Sequence, residues 1–577
     1  MSGKCLINSF YDPFPFFIKA RYLGGRYYFM RYIFLSTIVL IIILACSIKQ
    51  KQTCDVIIRN GTVYDGSGSN PYQADLAIQG DTIVAIGNLD SLEGKNEIDA
   101  TGLAVAPGFI NMLSWADRNL LVDGRSLSDI KQGVTLEVFG EGWSPAPVKR
   151  NKKNVDSLWT TLDGYFQWIT KKGVSPNVAS FVGATAVRYY VLDNANKKPT
   201  REELLQMKQL VQEAMEDGAM GLGASLIYVP ALYATTEELI ELAKVASENG
   251  GMYTTHMRSE SDFILSALTE TFRIAREANI PAEIYHLKIN HSRNWNKIDT
   301  VITKIDSAQK AGLKITANMY TYTASGTGLN ERIPKWVQED GGKAMRSRLK
   351  NPAIRKKVLE EMRLGIPTKN SDPKDVMLLS FRTDSLSKLY RGKRLDEVAR
   401  LHGKDANETV LDLIIKDKSR VEAIYFLISE NNMKRMLKLP YVSFGSDAGS
   451  QAIPDNFNDV GAHPRAYGTF SRLLGKYVRD EKLISLPEAI RRLTSMPATH
   501  LKLKKRGLLK TGNYADVVIF DPATIQDHAT FENPHQYSTG VNDVFVNGIL
   551  VLKDGQHTGA KPGKALRGPG YKYKKPN

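Results

Sequence analysis

The sequence predicts an α/β fold: a (β/α)8 TIM-like barrel, a small β-sandwich built from both chain ends, and an insertion between strands 7 and 8. Two observations carry this prediction. In the middle of the chain, short apolar segments alternate with amphipathic helical segments every 30 residues or so, roughly the size of a βαβ unit. Both ends instead contain β-rich segments bounded by Asn-Gly and Asp-Gly turn signals.

The β-sandwich is predicted from residues 55–104 and 501–568, which are far apart in the chain. Each part contains two segments patterned as short strands, at 55–66, 74–87, 515–522 and 544–551. Because both ends have the same β-rich pattern, we expect them to form one small domain. The barrel, residues 105–500, is then an insertion between its halves.

Eight barrel strands are predicted from the apolar segments of the middle region. They cover residues 105–112, 135–139, 178–182, 219–224, 251–255, 281–285, 314–319 and 441–445. Helices between them begin at capping boxes such as Thr200-x-x-Glu203 and Thr235-x-x-Glu238. The last gap is too long for one helix. It is rich in Lys, Arg and Glu, so we expect an insertion over about residues 333–439.

Composition argues against a nucleic-acid partner. The chain has 577 residues, 42% of them hydrophobic, which is typical of a globular protein with a substantial core. Its formal net charge is +16, but the lysines and arginines are scattered, and no helix-turn-helix or aromatic-basic platform is visible. Scattered positive charge indicates a solvated surface.

The beginning of the chain resembles a bacterial lipoprotein signal. An apolar run over residues 33–45 follows Arg31, is too short for the ~20 residues that span a bilayer, and ends in Ile-Leu-Ala-Cys at Cys46. We therefore expect residues 1–54 to be a signal and tether, with the signal starting at Met30 and Cys46 lipidated. The protein would be exported and lipid-anchored to a bacterial membrane, on the periplasmic or cell-surface side. A plain signal peptide or an anchor helix is the alternative.

Four polar residues follow predicted barrel strands, where the active site of such a barrel lies. Glu141 comes after strand 2, His256 ends strand 5, His286 ends strand 6 and Asp447 ends strand 8. A lone histidine is usually structural, but four such groups at strand ends favour a common site for metal binding or acid–base chemistry.

These residues belong to a longer set of motifs. Other members are Gly-Leu-Gly-Ala-Ser-Leu-Ile-Tyr at 221–228, Gly-Ala-His-Pro-Arg-Ala-Tyr-Gly-Thr-Phe at 461–470, and the tail at 547–563. From residue 55 to 568 the chain resembles the N-acyl-D-amino-acid deacylases (D-aminoacylases) of the amidohydrolase superfamily. The resemblance implies a zinc enzyme that hydrolyses the amide of N-acyl-D-amino acids, releasing a carboxylate and a D-amino acid.

The resemblance also implies roles for individual residues. Glu141, at a position commonly held by Cys, would ligate the metal with His256 and His286. A carboxylate with two imidazoles accepts zinc, manganese or iron more evenly than a thiolate site does. Asp447 would be the general base. The expected substrate-binding residues are Arg465, for the substrate carboxylate, Tyr228 and Tyr322.

The sequence departs from the family pattern at strand 1. The family usually ends this strand in His-x-His, which holds a second metal, but residues 106–115 are Ala-Pro-Gly-Phe-Ile-Asn-Met-Leu-Ser-Trp. Leu113 and Trp115 occupy the two histidine positions, and the chain has no histidine before His256. We therefore expect one divalent metal, with zinc the first candidate. Trp115 is interpreted either as a pocket wall or as core packing.

Two alternative functions remain open at this point. The chain could hydrolyse another small amide, such as a dipeptide or a cyclic amide, because a fold does not choose its substrate. It could also be a non-catalytic binding protein on the same scaffold. The missing His-x-His favours that alternative, whereas the four strand-end residues disfavour it.

Overall fold

The computed structural model describes residues 52–149, 158–365, 371–453 and 461–573. The chain divides into two units, Met1–Thr53 with Ser91–Glu93, and Cys54–Asp90 with Gly94–Asn577. Of the first unit, only residues 52–53 and 91–93 are described, within strands and a turn. The predicted signal and Cys46 lie outside the described residues. Within the described ranges, no helix is both long and apolar enough to cross a bilayer.

The strands of the described residues are numbered in chain order. They are β1 (Gln52–Val63), β2 (Tyr72–Gln79), β3 (Thr82–Gly87), β4 (Leu92–Asp99), β5 (Ala104–Pro107), β6 (Phe109–Asn111), β7 (Val134–Phe139), β8 (Asn177–Ser180), β9 (Val182–Gly183), β10 (Gly221–Ser225), β11 (Met252–His256), β12 (Ala282–Ile284), β13 (Ile315–Met319), β14 (Ser325–Gly328), β15 (Val376–Ser380), β16 (Glu422–Tyr425), β17 (Val442–Phe444), β18 (Val517–Phe520), β19 (Val541–Val546), β20 (Ile549–Lys553) and β21 (Gln556–His557).

The α-helices of the same residues are numbered likewise. They are α1 (Asn119–Val122), α2 (Leu127–Ile130), α3 (Leu162–Lys172), α4 (Ala184–Leu192), α5 (Arg201–Glu216), α6 (Thr236–Glu248), α7 (Ile264–Glu277), α8 (Ile298–Lys310), α9 (Gly341–Lys350), α10 (Pro352–Arg363), α11 (Asp384–Tyr390), α12 (Leu395–Leu401), α13 (Ala406–Asp417), α14 (Glu430–Leu437), α15 (Arg465–Arg472), α16 (Leu486–Leu493) and α17 (Ser495–His500). The predicted capping box of Thr200 and Glu203 is present at the start of α5.

Parallel strands form the centre of the larger unit. They pair in the orders β17-β13-β12-β11-β10-β9 and β6-β7-β8, and β8 continues as β9 after Phe181. The last strand meets the first through backbone hydrogen bonds: Met112 N donates to Phe444 O at 3.1 Å and Asp447 N donates to Leu113 O at 2.9 Å. With helices between the strands, this is the predicted (β/α)8 arrangement.

The predicted first barrel strand is in fact two strands. β5 pairs with β18 and β1 in the terminal sheet, whereas β6 pairs with β7 in the barrel. Between them Gly108 passes so close to Thr135 that a Cβ atom would overlap its side chain. The chain therefore changes sheets at a glycine, which a continuous apolar pattern does not reveal.

Both chain ends do build one β domain, as the sequence predicts. Their strands join in a nine-stranded sheet with the order β21-β20-β19-β18-β5-β1-β2-β3 and with β4 attached to β1. The two halves meet where β5 and β18 pair, for example at Val105 and Ile519. The strands are thus one continuous hydrogen-bonded sheet, and its inner face buries an aliphatic core that includes Ile58, Leu76 and Val517.

The insertion before the last barrel strand is a lobe with its own core. β14, β16 and β15 form a small antiparallel sheet, and α9 to α13 bury side chains such as Leu349, Val358 and Leu411 against it. α14 instead buries Met433 and Met436 in the barrel core. The lobe therefore runs from β14 to β16, beginning and ending earlier than the predicted residues 333–439.

Candidate metal centre and active site

Three predicted metal ligands meet at one point above the barrel. His256 Nδ1 lies 2.8 Å from Glu141 Oε1, His286 Nε2 lies 3.1 Å from the same oxygen, and the two ring nitrogens are 3.0 Å apart. All three side chains are buried. They form a possible metal-binding group in which one ligand atom from each lies within 4.8 Å of the others.

The local backbone explains how these side chains reach the same point. Glu141 lies between Gly140 and Gly142, which have φ values of 109° and 74° and pass too close to Phe181 and Ser225 for any Cβ atom. His286 and Asp447 also have positive φ values, 36° and 49°. For residues other than glycine, that conformation costs roughly 1–2 kcal/mol each, and such strain is concentrated at functional sites.

The donor set fits a divalent metal such as zinc. Two imidazoles and a carboxylate are a ligand set of catalytic zinc sites, with bonds of about 2.0–2.2 Å. Donors around a tetrahedral ion at that distance lie roughly 3.3–3.5 Å apart. The present spacings of 2.8–3.1 Å therefore need only a slight outward movement of each donor.

The charges around the three donors favour a cation. Burial alone would raise the pKa of Glu141, but the charge of His286 and hydrogen bonds from both imidazoles lower it to about 2. Burial and Lys288 act to lower the pKa of His286, but Glu260, Glu141 and Asp447 outweigh them and raise it to about 9. The carboxylates that favour a proton on His286 would equally favour a metal cation bound in place of that proton.

Glu260 lies beside both histidines on the side opposite Glu141, in direct contact with His286, and it is not among the residues predicted from the sequence. Its Oε1 lies 2.8 Å from His286 Nδ1 and accepts a 2.6 Å hydrogen bond from Lys288 Nζ. Its Oε2 is 3.7 Å from His256 Nε2. A carboxylate behind a ligating imidazole fixes its tautomer and orientation. Its position four residues after His256 is the sequence feature that could have indicated it.

Asp447 and Arg465 form a buried ion pair beside the donor atoms. Arg465 Nη1 lies 2.8 Å from Asp447 Oδ2, and the guanidinium carbon stands 4.7 Å from the ring centre of Tyr320. The Arg465 backbone N donates to His463 Nδ1 at 3.1 Å, while His463 Nε2 donates to Ala324 O at 3.0 Å. His463 therefore positions the start of the helix that carries Arg465.

Of the two interpretations of Trp115, the structure agrees with the pocket wall and adds a hydrogen-bonding role. It lines the cavity, and its indole Nε1 donates both to Glu141 Oε2 at 3.1 Å and to Asp447 Oδ1 at 3.2 Å. Leu113, at the other position of the missing pair, is fully buried. Asn111 holds this strand end in place by accepting from Ser446 N at 2.9 Å and donating to Ser446 Oγ at 2.8 Å.

One cavity of about 1020 Å³ contains these groups and extends to the lobe. Tyr228 lines it, and its hydroxyl lies 2.9 Å from Thr327 Oγ1 of β14. Residues of the lobe line the outer part, among them Asn330, Glu331, Arg346, Arg420 and Glu422. The site thus lies at the end of the barrel, and the inserted lobe covers it.

Tyr322 is the predicted site residue that the structure does not bring to this cavity. Its hydroxyl donates to Asp527 Oδ2 at 2.9 Å, and Arg472 stacks over its ring at 4.8 Å. It is absent from the lining of the cavity. Tyr320, and not Tyr322, stacks on Arg465, and the backbone bends at Thr321 between the two tyrosines.

Comparison with known proteins decides the family. The profile of the Amidohydrolase family matches residues 96–552. The chain belongs to the amidohydrolase family. D-aminoacylase of Alcaligenes xylosoxydans xylosoxydans is 33% identical over 90% of this chain and 98% of its own length. The amidohydrolase is therefore a hydrolase of carbon–nitrogen bonds other than peptide bonds.

Solved structures agree with the resemblance to N-acyl-D-amino-acid deacylases. N-acyl-D-glutamate deacylase from Bordetella bronchiseptica, complexed with zinc and a phosphonate inhibitor, is 30% identical with a TM-score of 0.76. A D-aminoacylase structure addressing a binuclear metal centre, with one-metal activation and second-metal attenuation, has 30% identity and a TM-score of 0.74. Each match covers 89% of this chain and all of the solved chain.

Proposed function

We propose that this amidohydrolase hydrolyses the amide bond of N-acyl-D-amino acids, releasing a carboxylate and a D-amino acid, at one divalent metal. The observation that carries the proposal is the meeting of Glu141, His256 and His286 beside Asp447 and Arg465 in one cavity. Relatives that span nearly the whole chain are named for this reaction.

Glu141 Oε1, His256 Nδ1 and His286 Nε2 would hold the metal, and zinc is the first candidate because this donor set suits it. When bound, such an ion lowers the pKa of water towards neutrality and polarises a carbonyl oxygen. Glu260 and Lys288 keep His286 oriented with Nε2 towards the other two donors.

Asp447 is the proposed proton carrier. Its carboxylate borders the donors in the cavity and is fixed by Trp115 at one oxygen and Arg465 at the other. It accepts a proton from the attacking water and delivers it to the departing amine nitrogen, as one residue acting as base and then acid can do. The amide bond breaks as that nitrogen is protonated.

Arg465 is the proposed anchor of the substrate carboxylate, and Tyr228 is the proposed aromatic neighbour of the bound substrate. The guanidinium faces the cavity, and its Nε has no hydrogen-bond partner among the described residues. A guanidinium has five N–H donors in a fixed fork, so Arg465 has donors left for a carboxylate while it pairs with Asp447.

A substrate panel tests the proposal directly. Metal-loaded protein is assayed for amine release from matched N-acyl-D- and N-acyl-L-amino acids, beside Asp447→Asn and, as control, Asp527→Asn, whose carboxylate binds Tyr322 and Arg472 outside the cavity. We expect cleavage of the D series by wild type and the control, and a large loss in Asp447→Asn. Cleavage of other small amides alone would reject the substrate, and full activity of Asp447→Asn would reject the mechanism.

We also propose that the chain is exported and held on a membrane by acylation of Cys46, because the preceding apolar run ends in Ile-Leu-Ala-Cys. A single acyl chain anchors only marginally, so stable attachment requires more than one. Bacteria expressing the full chain are fed a labelled fatty acid. We expect label in wild type and in Cys54→Ser, but none in Cys46→Ser. Label retained in Cys46→Ser would reject the anchor.

A further inference from the structure

One indole N–H is shared by the two carboxylates at the centre of the site. Trp115 Nε1 lies 3.1 Å from Glu141 Oε2 and 3.2 Å from Asp447 Oδ1. The donor thus stands between a proposed metal ligand and the proposed proton carrier. An indole N–H donates but has no lone pair with which to bind a cation.

We propose that Trp115 is a positioning residue that takes the place of a second metal ion, so that this amidohydrolase has one metal and is not attenuated by excess zinc. The part concerning Asp447 rests on the proposed function. The part concerning metal count does not, because it can be measured without substrate.

The hydrogen bond from Trp115 gives the two carboxylate oxygens of Glu141 different partners. Oε1 faces both imidazoles, at 2.8 and 3.1 Å, whereas Oε2 accepts from the indole. A carboxylate held in this way would offer a metal one oxygen only, which would leave room for the water that catalytic zinc sites require.

The hydrogen bond to Asp447 fixes that carboxylate from a second side. Oδ1 accepts from Trp115 while Oδ2 pairs with Arg465 Nη1 at 2.8 Å. The indole hydrogen bond on one oxygen and the ion pair with Arg465 on the other restrict rotation of the carboxylate towards a cation. The same two contacts hold the Asp447 carboxylate in one orientation for proton transfer. Catalytic groups need such fixed supporting contacts to keep their productive geometry.

The strand end that carries Trp115 offers no ligand for a second cation. Leu113 is fully buried and apolar, and the Ser114 hydroxyl is already bound to Glu137 Oε2 at 2.7 Å. A cation placed between Glu141 and Asp447 would collide with the indole. The neutral donor supplies hydrogen bonds to both anions without adding a charge, which is the physical difference from a second metal.

Four proteins test this inference: wild type, Trp115→Phe, the double variant Leu113→His with Trp115→His, and Trp336→Phe. Trp336 is the matched control because its indole also donates to a carboxylate, Glu361 Oε2, at 2.8 Å, but outside the cavity. Each protein is titrated with zinc, its bound metal is counted by mass spectrometry, and activity is followed over the same titration.

We expect wild type and Trp336→Phe to bind one equivalent and to keep their activity in excess zinc. Trp115→Phe should lose roughly 10- to 100-fold in metal affinity or kcat, the usual effect of removing a supporting contact. The double variant should bind two equivalents and lose activity as the second enters.

Two results would overturn the inference. One is a second equivalent in wild type, and the other is a Trp115→Phe variant with wild-type metal affinity, kcat and zinc response. The visible spectrum of the Co²⁺-loaded proteins adds a second measurement. Loss of the indole hydrogen bond in Trp115→Phe would free Glu141 Oε2 to bind the ion and so change the spectrum, whereas a change in packing alone would not. Failure of all four proteins to cleave N-acyl-D-amino acids would reject the proposed function, while the metal counts would still decide the role of Trp115.

Discussion

Glu260 Oε1 lies 2.8 Å from His286 Nδ1, on the far side of the imidazole from Glu141. The same oxygen accepts a 2.6 Å hydrogen bond from the buried Lys288. This contact fixes which nitrogen of His286 points to the metal donors. The candidate metal centre therefore extends one layer beyond its three donor residues.

Replacing Glu260 by Gln should weaken metal binding. The variant removes the negative charge that orients His286 and leaves the buried Lys288 without its anion, so we expect a roughly 10- to 100-fold loss of zinc affinity. Competition with a coloured chelator measures that affinity. Glu238→Gln is the control, because it alters a buried ion pair with Arg188 away from the donors. Equal affinity in wild type and Glu260→Gln would contradict the assignment.

Stability should depend on pH through Glu137, a buried carboxyl group in strand β7. Burial, with the charge of Asp129, raises the pKa of Glu137 to about 8 from a usual 4.5. Between these values the folded state binds more protons than the unfolded state, so the free energy of unfolding falls as pH rises. The fall is at most about 1.4 kcal/mol per pH unit for one group.

Glu137→Gln should flatten this pH dependence, because an amide keeps an acceptor for Ser114 and does not ionise. Urea unfolding at the two ends of the window measures the slope, with the exposed Glu202→Gln as a matched control. An unchanged slope in Glu137→Gln would show that the group does not titrate in this range.

The sequence identified the elements of the barrel because each carries its own local signal. The capping box at Thr200, the apolar segments and the residues after each strand are local, and they led to Glu141, His256, His286 and Asp447. The break at Gly108 was missed because both halves of that segment are apolar and buried. Periodicity does not report which sheet a strand joins.

The supporting residues of the site were less predictable. Glu260 lies beside His286 because the segments after β11 and β12 meet, where Asn290 N donates to Glu260 O at 2.7 Å, and no local pattern encodes that contact. The two hydrogen bonds of Trp115 likewise join residues that are 26 and 332 positions apart in the chain. Motifs indicate which side chains belong to the site, but the contacts between those side chains depend on tertiary structure.

Arg465→Lys should raise KM for N-acyl-D-amino acids with a smaller effect on substrates that lack the carboxylate. Lysine keeps the charge but loses the fork of donors, and hydrogen bonds to charged groups contribute about 1.5–3 kcal/mol, or roughly 10- to 100-fold. Steady-state kinetics with the acid and its carboxamide separate the two effects. Arg472→Lys, which stacks on Tyr322 outside the cavity, is the control. Equal losses on both substrates would assign Arg465 to support of Asp447 alone.

The two tyrosines that the sequence placed at the substrate should behave differently. Tyr228 lines the cavity and bonds Thr327 of the lobe, so Tyr228→Phe should loosen the lobe over the bound substrate and raise KM. Tyr322→Phe removes only the bond to Asp527, so it should leave KM and kcat unchanged and lower the free energy of unfolding by about 1 kcal/mol. Kinetics and urea unfolding of both variants make the comparison. A KM effect in Tyr322→Phe larger than that in Tyr228→Phe would restore Tyr322 to the substrate site.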